Sequence, residues 1–125
     1  MKNDLSSVLA RCSDTASWFG IELNGVNCVN LMDDTPLHTV CSWGDLESAR
    51  ILIDAGADVN AKGDNGCSPI FNGVIGGNPK VLELLIRSGA RVNSKNDDGR
   101  SVLEYARNIG SSEDVINTLL KVKGA

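Results

Sequence analysis

At 125 residues, with 16 acidic against 12 basic side chains and a formal charge of -4, the chain has the length of one domain. That balance argues against nucleic acid or an anionic membrane surface as partner and favours a basic protein. With Trp18, Phe19, Trp43, Phe71 and Tyr105 as its whole aromatic complement, the core falls to Leu, Ile, Val and Ala.

The start, Met1-Lys2-Asn3-Asp4-Leu5, lacks the continuous apolar stretch of a signal peptide, and no run approaches membrane-spanning length. A cytoplasmic location is expected. Leu5, Val8, Leu9 and Cys12 then make an i, i+3, i+4, i+7 stripe, which predicts a first helix. Further on, the stretch 35–60 opens on Thr35-Pro36, a helix cap followed by a residue whose φ is already set. Two short apolar-periodic runs follow, split by Gly44: Leu37, Val40 and Cys41, then Leu46, Ala49, Ile51, Leu52 and Ile53. It closes on Gly56 and Val59-Asn60, so the stretch reads as helix, tight turn, helix, loop. Each helix is too short to stand alone and must bury its apolar face on a neighbour.

The same pattern returns at an offset of 33 residues: Thr35, Ser68 and Ser101; Leu37, Ile70 and Leu103; Gly44, Gly77 and Gly110. Pro36 recurs as Pro69, Gly56-Ala57 as Gly89-Ala90, and Val59-Asn60 as Val92-Asn93. A period of this length predicts a solenoid of stacked units. With Thr-Pro-Leu-His, the central Gly, the Ile-Leu-Ile run and Gly-Ala-Asp-Val-Asn, the unit resembles the ankyrin repeat. The resemblance implies an all-α solenoid with hairpin-like loops, one domain in which 1–29 caps the N-terminus, 30–62 and 63–95 are repeats, and 96–123 caps the C-terminus.

Departures from the pattern carry their own expectations. In 1–29, Val26-Asn27 falls in register with Val59-Asn60, and Ala16 and Phe19 fall where Ala49 and Leu52 stand, which predicts a second helix over 14–21. Asp33 replaces the glycine found as Gly66 and Gly99, so it must take positive φ, and the loop 30–34 is expected to be less regular. Phe71 stands in place of His38, and Gly73, Gly76 and Gly77 crowd the end of that helix, marking it as the weakest. The third copy has Val102 for Pro, Glu104 for His and an extra residue near Ser111-Ser112. Polar Asn117, Thr118, Lys121 and Lys123 fit a capping last helix, and both ends look finished.

Little in the chain reads as reactive. Cys12, Cys28, Cys41 and Cys67 have no Cys-x-x-Cys spacing and one histidine cannot complete a metal set, so free thiols are expected, with Cys41 a buried apolar residue. His38 has no nucleophile or second base at a useful spacing, and the resemblance implies that it ties neighbouring loops together by hydrogen bonds. Asp33-Asp34 and Asp97-Asp98 lack the alternation of a calcium loop and read as solvated acidic tips. Gly76-Gly77 follows no strand and forms no phosphate loop. No catalytic residue, metal or cofactor is expected.

Trp43 stands at the end of the first helix of its unit, where Gly76 and Ile109 stand in the next two. It is either a binding anchor or packed under the N-terminal cap. Carried over by register, the recognition surface that the resemblance implies comprises Leu31, Met32, Asp34, Ser42 and Trp43. Asp64, Asn65, Cys67 and Ile75 follow from the second copy, and Asp97, Asp98, Arg100, Tyr105 and Asn108 from the third. Its apolar centre beside several carboxylates suits a basic protein with an apolar pocket. The expected function is a non-enzymatic binding protein, monomeric when free, most concretely an acidic inhibitor or immunity-type protein with one partner. An adaptor with several partners, an enzyme built on His38 and a purely structural subunit are the alternatives.

Overall fold

The computed structural model describes residues 4–122, and these form seven α-helices. Helix α1 spans Leu5–Ser13, α2 Pro36–Ser42, α3 Leu46–Asp54, α4 Pro69–Gly76, α5 Pro79–Arg87, α6 Val102–Asn108 and α7 Glu113–Leu120. Helices α2, α4 and α6 pack side by side in one row, α3, α5 and α7 in a second row behind it, and α1 covers the open side of α2 and α3. No strand is present among the described residues; a single antiparallel bridge joins Lys95 and Ser101. Lys123, expected on the last helix, lies outside the described residues, as does the chain start at Met1–Asn3.

Six of the seven helices start on a residue whose side chain caps them. Thr35 Oγ1 accepts the His38 N–H while His38 Nδ1 accepts the Thr35 N–H at 3.0 Å, and Ser101 and Glu104 make the same reciprocal pair for α6. Pro36, Pro69 and Pro79 each occupy a first helical turn. In α4 the pair is broken, because Phe71 has no polar atom to return to Ser68. Ser68 makes no side-chain cap bond, and its hydroxyl oxygen is buried without a partner.

Between the rows lies a continuous core: Leu37, Val40, Cys41, Ala49 and Leu52, then Ile70, Phe71, Val74, Val81, Leu82 and Leu85, then Val102, Ala106, Val115 and Leu119. Thr118, expected on a polar outer face, turns inward, and its hydroxyl donates to the Asp114 carbonyl.

Three hairpin loops precede the first helices, each closed by one bond at the predicted spacing: Asn30 N–H to the Asp34 carbonyl, Gly63 N–H to that of Cys67, and Asn96 N–H to that of Arg100, at 3.0, 2.8 and 3.0 Å. Asp33 takes the positive φ the sequence demands, 66° against 67° for Gly66 and 77° for Gly99. The expected irregularity of the loop at 30–34 is not found. Asn30 Oδ1 accepts the N–H groups of Met32 and Asp34, as Asn96 Oδ1 accepts those of Asp98 and Arg100. The middle loop is the odd one: Gly63 has no side-chain amide oxygen to offer, and Asp64–Gly66 tighten into a 3-10 turn with Asn65 at φ 56°.

The predicted helix over 14–21 does not form. Thr15 bonds back to the Cys12 carbonyl, Gly20 takes φ 76°, and only a 3-10 turn at Ala16–Trp18 remains. Phe19, placed by register at a core position, is 86% exposed; Trp18 fills the core instead and its indole N–H donates to Thr39 Oγ1 at 2.9 Å.

The glycines of α4 have a packing reason. A side chain at Gly76 would run into the Cys41 carbonyl oxygen and come within 2.7 Å of the Gly44 nitrogen, and one at Gly73 within 2.9 Å of Leu82. Helices α2 and α4 therefore approach through bare backbone, and Gly76→Ala should destabilise the fold by about 1–3 kcal/mol despite alanine's better helix propensity. Urea denaturation of the variant measures this. By the same method Thr35→Ala should cost about 1–2 kcal/mol, whereas Ser68→Ala, which removes an unpartnered hydroxyl, should cost little or nothing.

Candidate functional site

The loops are stitched from one unit to the next. Asp34 Oδ1 accepts the Asp64 N–H at 2.9 Å, and His38 Nε2 meets the Cys67 carbonyl at 2.9 Å. Since the Thr35 N–H can only donate, His38 Nδ1 must accept, which places the ring proton on Nε2 and makes it the donor to Cys67. The next junction uses the Asn65 carbonyl, which accepts the Asp97 N–H at 2.9 Å, and the Asn65 side-chain amide, which donates to an Asp98 carboxylate oxygen at 3.0 Å. The acidic tips are thus partly engaged in holding the loops together, not only solvated as expected.

Where the loops meet the first row of helices there is a groove of about 260 Å³. It gathers six of the residues expected at the recognition surface: Asp34, Asp64, Asn65, Cys67, Ile75 and Tyr105. Phe71 and Asn72 also line it. The expected surface omits these two, although they stand at the register positions of His38 and Tyr105, one 33-residue period away, and that register was the available signal. Phe71 is buried and packs edge-to-face on Tyr105, with centroids 5.5 Å apart.

The remaining expected residues lie outside this groove. Trp43, 42% exposed, ends α2, and Ile75 and Ile109, 53% and 46% exposed, stand at or next to the matching position on α4 and α6. Trp43 is thus partly exposed, and Ile109, its counterpart by register, belongs to the same exposed row although the expected recognition surface does not include it. Ser42 is half-buried and Asn108 exposed beside them. Leu31 and Met32 are exposed on the first loop, and Asp97, Asp98 and Arg100 on the third.

The groove is a region of negative potential. Burial pushes the Cys67 thiol up, and the carboxylates of Asp64, Asp34 and Asp97 push it further, against an opposing bond from Asn96. Burial likewise raises the Tyr105 hydroxyl. Among the described residues the one ion pair, Arg11 to Asp45 at 3.2 Å, is elsewhere, tying α1 to the start of α3. No cation of the described chain neutralises Asp34 or Asp64.

Cys12, Cys28, Cys41 and Cys67 are free; burial raises Cys12 to about 11 and moves Cys41 the same way, which suppresses the thiolate. Among the described residues no three His, Cys, Asp or Glu side chains converge as metal ligands, and no helix is long and apolar enough to cross a membrane.

The family model for ankyrin repeats matches residues 9–96 in three copies, and the chain belongs to that family. Ankyrin repeats are protein-interaction modules, and this domain is one. A segment of 45 residues, 36% of the chain, is 47% identical to alpha-latrocrustotoxin-Lt1a of Latrodectus tredecimguttatus. The chain spans only 3% of that protein's length.

His38 is fully buried with both ring nitrogens bonded, and burial pushes its pKa below 6.5 although the Cys67 carbonyl and the Asp34 charge act the other way. A folded value below the unfolded one means that the unfolded chain takes up the proton first. Stability contributed by neutral His38 is complete above pH 6.5 and is lost as pH falls from there through the folded value. His38→Ala should cost about 2 kcal/mol and flatten that part of the stability–pH curve, as thermal unfolding between pH 5 and 8 would record.

Proposed function

We propose that this ankyrin-repeat domain is a non-enzymatic binding protein whose groove and loop tips mask a basic surface on one partner protein, in the manner of an acidic inhibitor or immunity-type protein. The observation that carries this reading is the pair Asp34 and Asp64, unneutralised by any cation of the described chain, beside Ile75, Phe71 and Tyr105 in one groove. An apolar floor next to unpaired carboxylates fits a surface that brings cations on an apolar patch. The exposed row of Trp43, Ile75 and Ile109 extends the contact along the helix ends.

The same reading takes 1–29, 30–62, 63–95 and 96–123 as the units of one array, monomeric when free and cytoplasmic, with neither nucleic acid nor membrane as partner. It assigns Leu31, Met32, Ser42, Asp97, Asp98, Arg100 and Asn108 to the rim of the contact. An adaptor function has one observation in its favour: Phe19, 86% exposed and outside both the groove and its rim, would serve a second contact.

Capture of partners on the immobilised protein tests both readings. One basic protein should be retained at one-to-one stoichiometry, released progressively as salt rises, and bound at least about tenfold more weakly by the double variant Asp34→Asn, Asp64→Asn. Asparagine at 34 keeps the oxygen that accepts the Asp64 N–H, so the loops stay tied. Acidic partners, or binding that strengthens with salt, would sink the masking reading, and several unrelated partners would establish the adaptor.

A further inference from the structure

We infer that the groove between the first and second loops is a receptor for a single arginine side chain of the partner, a step that rests on the protein-binding reading above. The lining divides by chemistry along the groove. Asp34 and Asp64 come from the loops, Phe71 and Asn72 from the first turn of α4, and Ile75 from the next turn of that helix. The four residues from Phe71 to Ile75 advance about 6 Å along the helix, which matches the aliphatic stem of a long side chain. Its occupant must therefore carry an apolar stem and a cationic head, which among protein side chains restricts it to arginine or lysine.

The acceptors favour arginine. One Asp34 oxygen is engaged by the Asp64 N–H, which leaves its second oxygen and the Asp64 carboxylate to receive donors. Asn72 lines the same wall, and its amide can turn an oxygen acceptor toward a donor there. A guanidinium has five N–H donors in a fixed plane and can satisfy such a spread set, while an ammonium is a hydrated point charge with three. Tyr105, held edge-to-face by Phe71, gives the plane an aromatic neighbour on which it can stack and an ammonium cannot. At about 260 Å³ the groove has room for one such side chain and not for a folded segment.

The test titrates the full chain, followed by amide NMR, with a capped pentapeptide of four alanines around a central arginine. Matched peptides carrying citrulline, lysine or glutamate serve as comparators. The arginine peptide should give saturable shifts at Asp34, Asp64 and Asn72 with a dissociation constant on the order of 1 mM. Citrulline, which keeps the shape and lacks the charge, should bind at least about tenfold more weakly, and lysine several-fold more weakly. Asp64→Asn and Ile75→Ala, both at exposed positions, should each weaken the arginine peptide without moving the thermal midpoint.

Equal affinity for arginine and citrulline, saturable shifts confined to another face, or no saturable shift at all would overturn the assignment. A lysine peptide as tight as arginine would overturn the choice of head group. If the captured partner still needs Asp34 and Asp64 while the arginine peptide fails, this inference falls and the masking function stands. If the peptide binds the groove but the partner ignores both carboxylates, the masking function falls.

Discussion

The contact from His38 to the Cys67 carbonyl is the constraint on which the groove depends. It is a donor–acceptor bond between adjacent units, made by a ring whose other nitrogen caps its own helix. Gly63 is there to let it form: a side chain at that position would come within 2.8 Å of His38 Nε2 and collide with the Asp34 carboxylate. Because Asp34, Asp64 and Cys67 all adjoin this seam, the same bonds that fix the spacing of two repeats fix the walls of the groove. A parallel seam runs along the far loops, where Asn27 accepts the Asp58 N–H and donates to the Gly56 carbonyl, and Asn60 does the same with Arg91 and Gly89.

Recognition of a partner draws on this rigidity. A loop that must order on binding loses conformational freedom at the moment of contact, whereas these loops are already closed by backbone bonds and tied to their neighbours. The Asp34 carboxylate is held in place by the Asp64 N–H, and neither it nor the Asp64 carboxylate has an ion-pair partner among the described residues. On the masking reading proposed above, a positive group from the partner meets these carboxylates in a groove that supplies no cation of its own among the described residues.

Most of the fold is legible in the sequence, because a 33-residue period records the repeated burial of one apolar face and α2 starts on the cap expected at Thr35. What is not legible arises where one residue answers to two demands. At 14–21 the register proposes a helix, but Thr15, Ser17 and Gly20 offer the backbone other bonds and a stop, and the larger Trp18 takes the core in place of Phe19. The glycines of α4 look like weakness when only propensity is weighed. Their purpose depends on the backbone of another unit, Cys41 and Gly44, which no local pattern reveals.

For the candidate site, register identifies a face but not a convergence. It brought Asp34, Asp64, Asn65, Cys67, Ile75 and Tyr105 into one set, and the structure lines one groove with them. It also admitted Asp97 and Asp98, which serve the junction through Asn65, and it passed over Phe71 because a buried aromatic reads as core. Phe71 belongs to both. Its ring packs into the interior while contributing to the groove wall and holding Tyr105 edge-on. The substitution that breaks the capping pair at Ser68 is thus the one that gives the groove its aromatic floor. The second repeat gives up a helix cap where its neighbours keep theirs, and what it gains in exchange is an apolar surface beside two unpaired carboxylates. Local rules of helix termination are broken here at the position where a binding surface would need them broken.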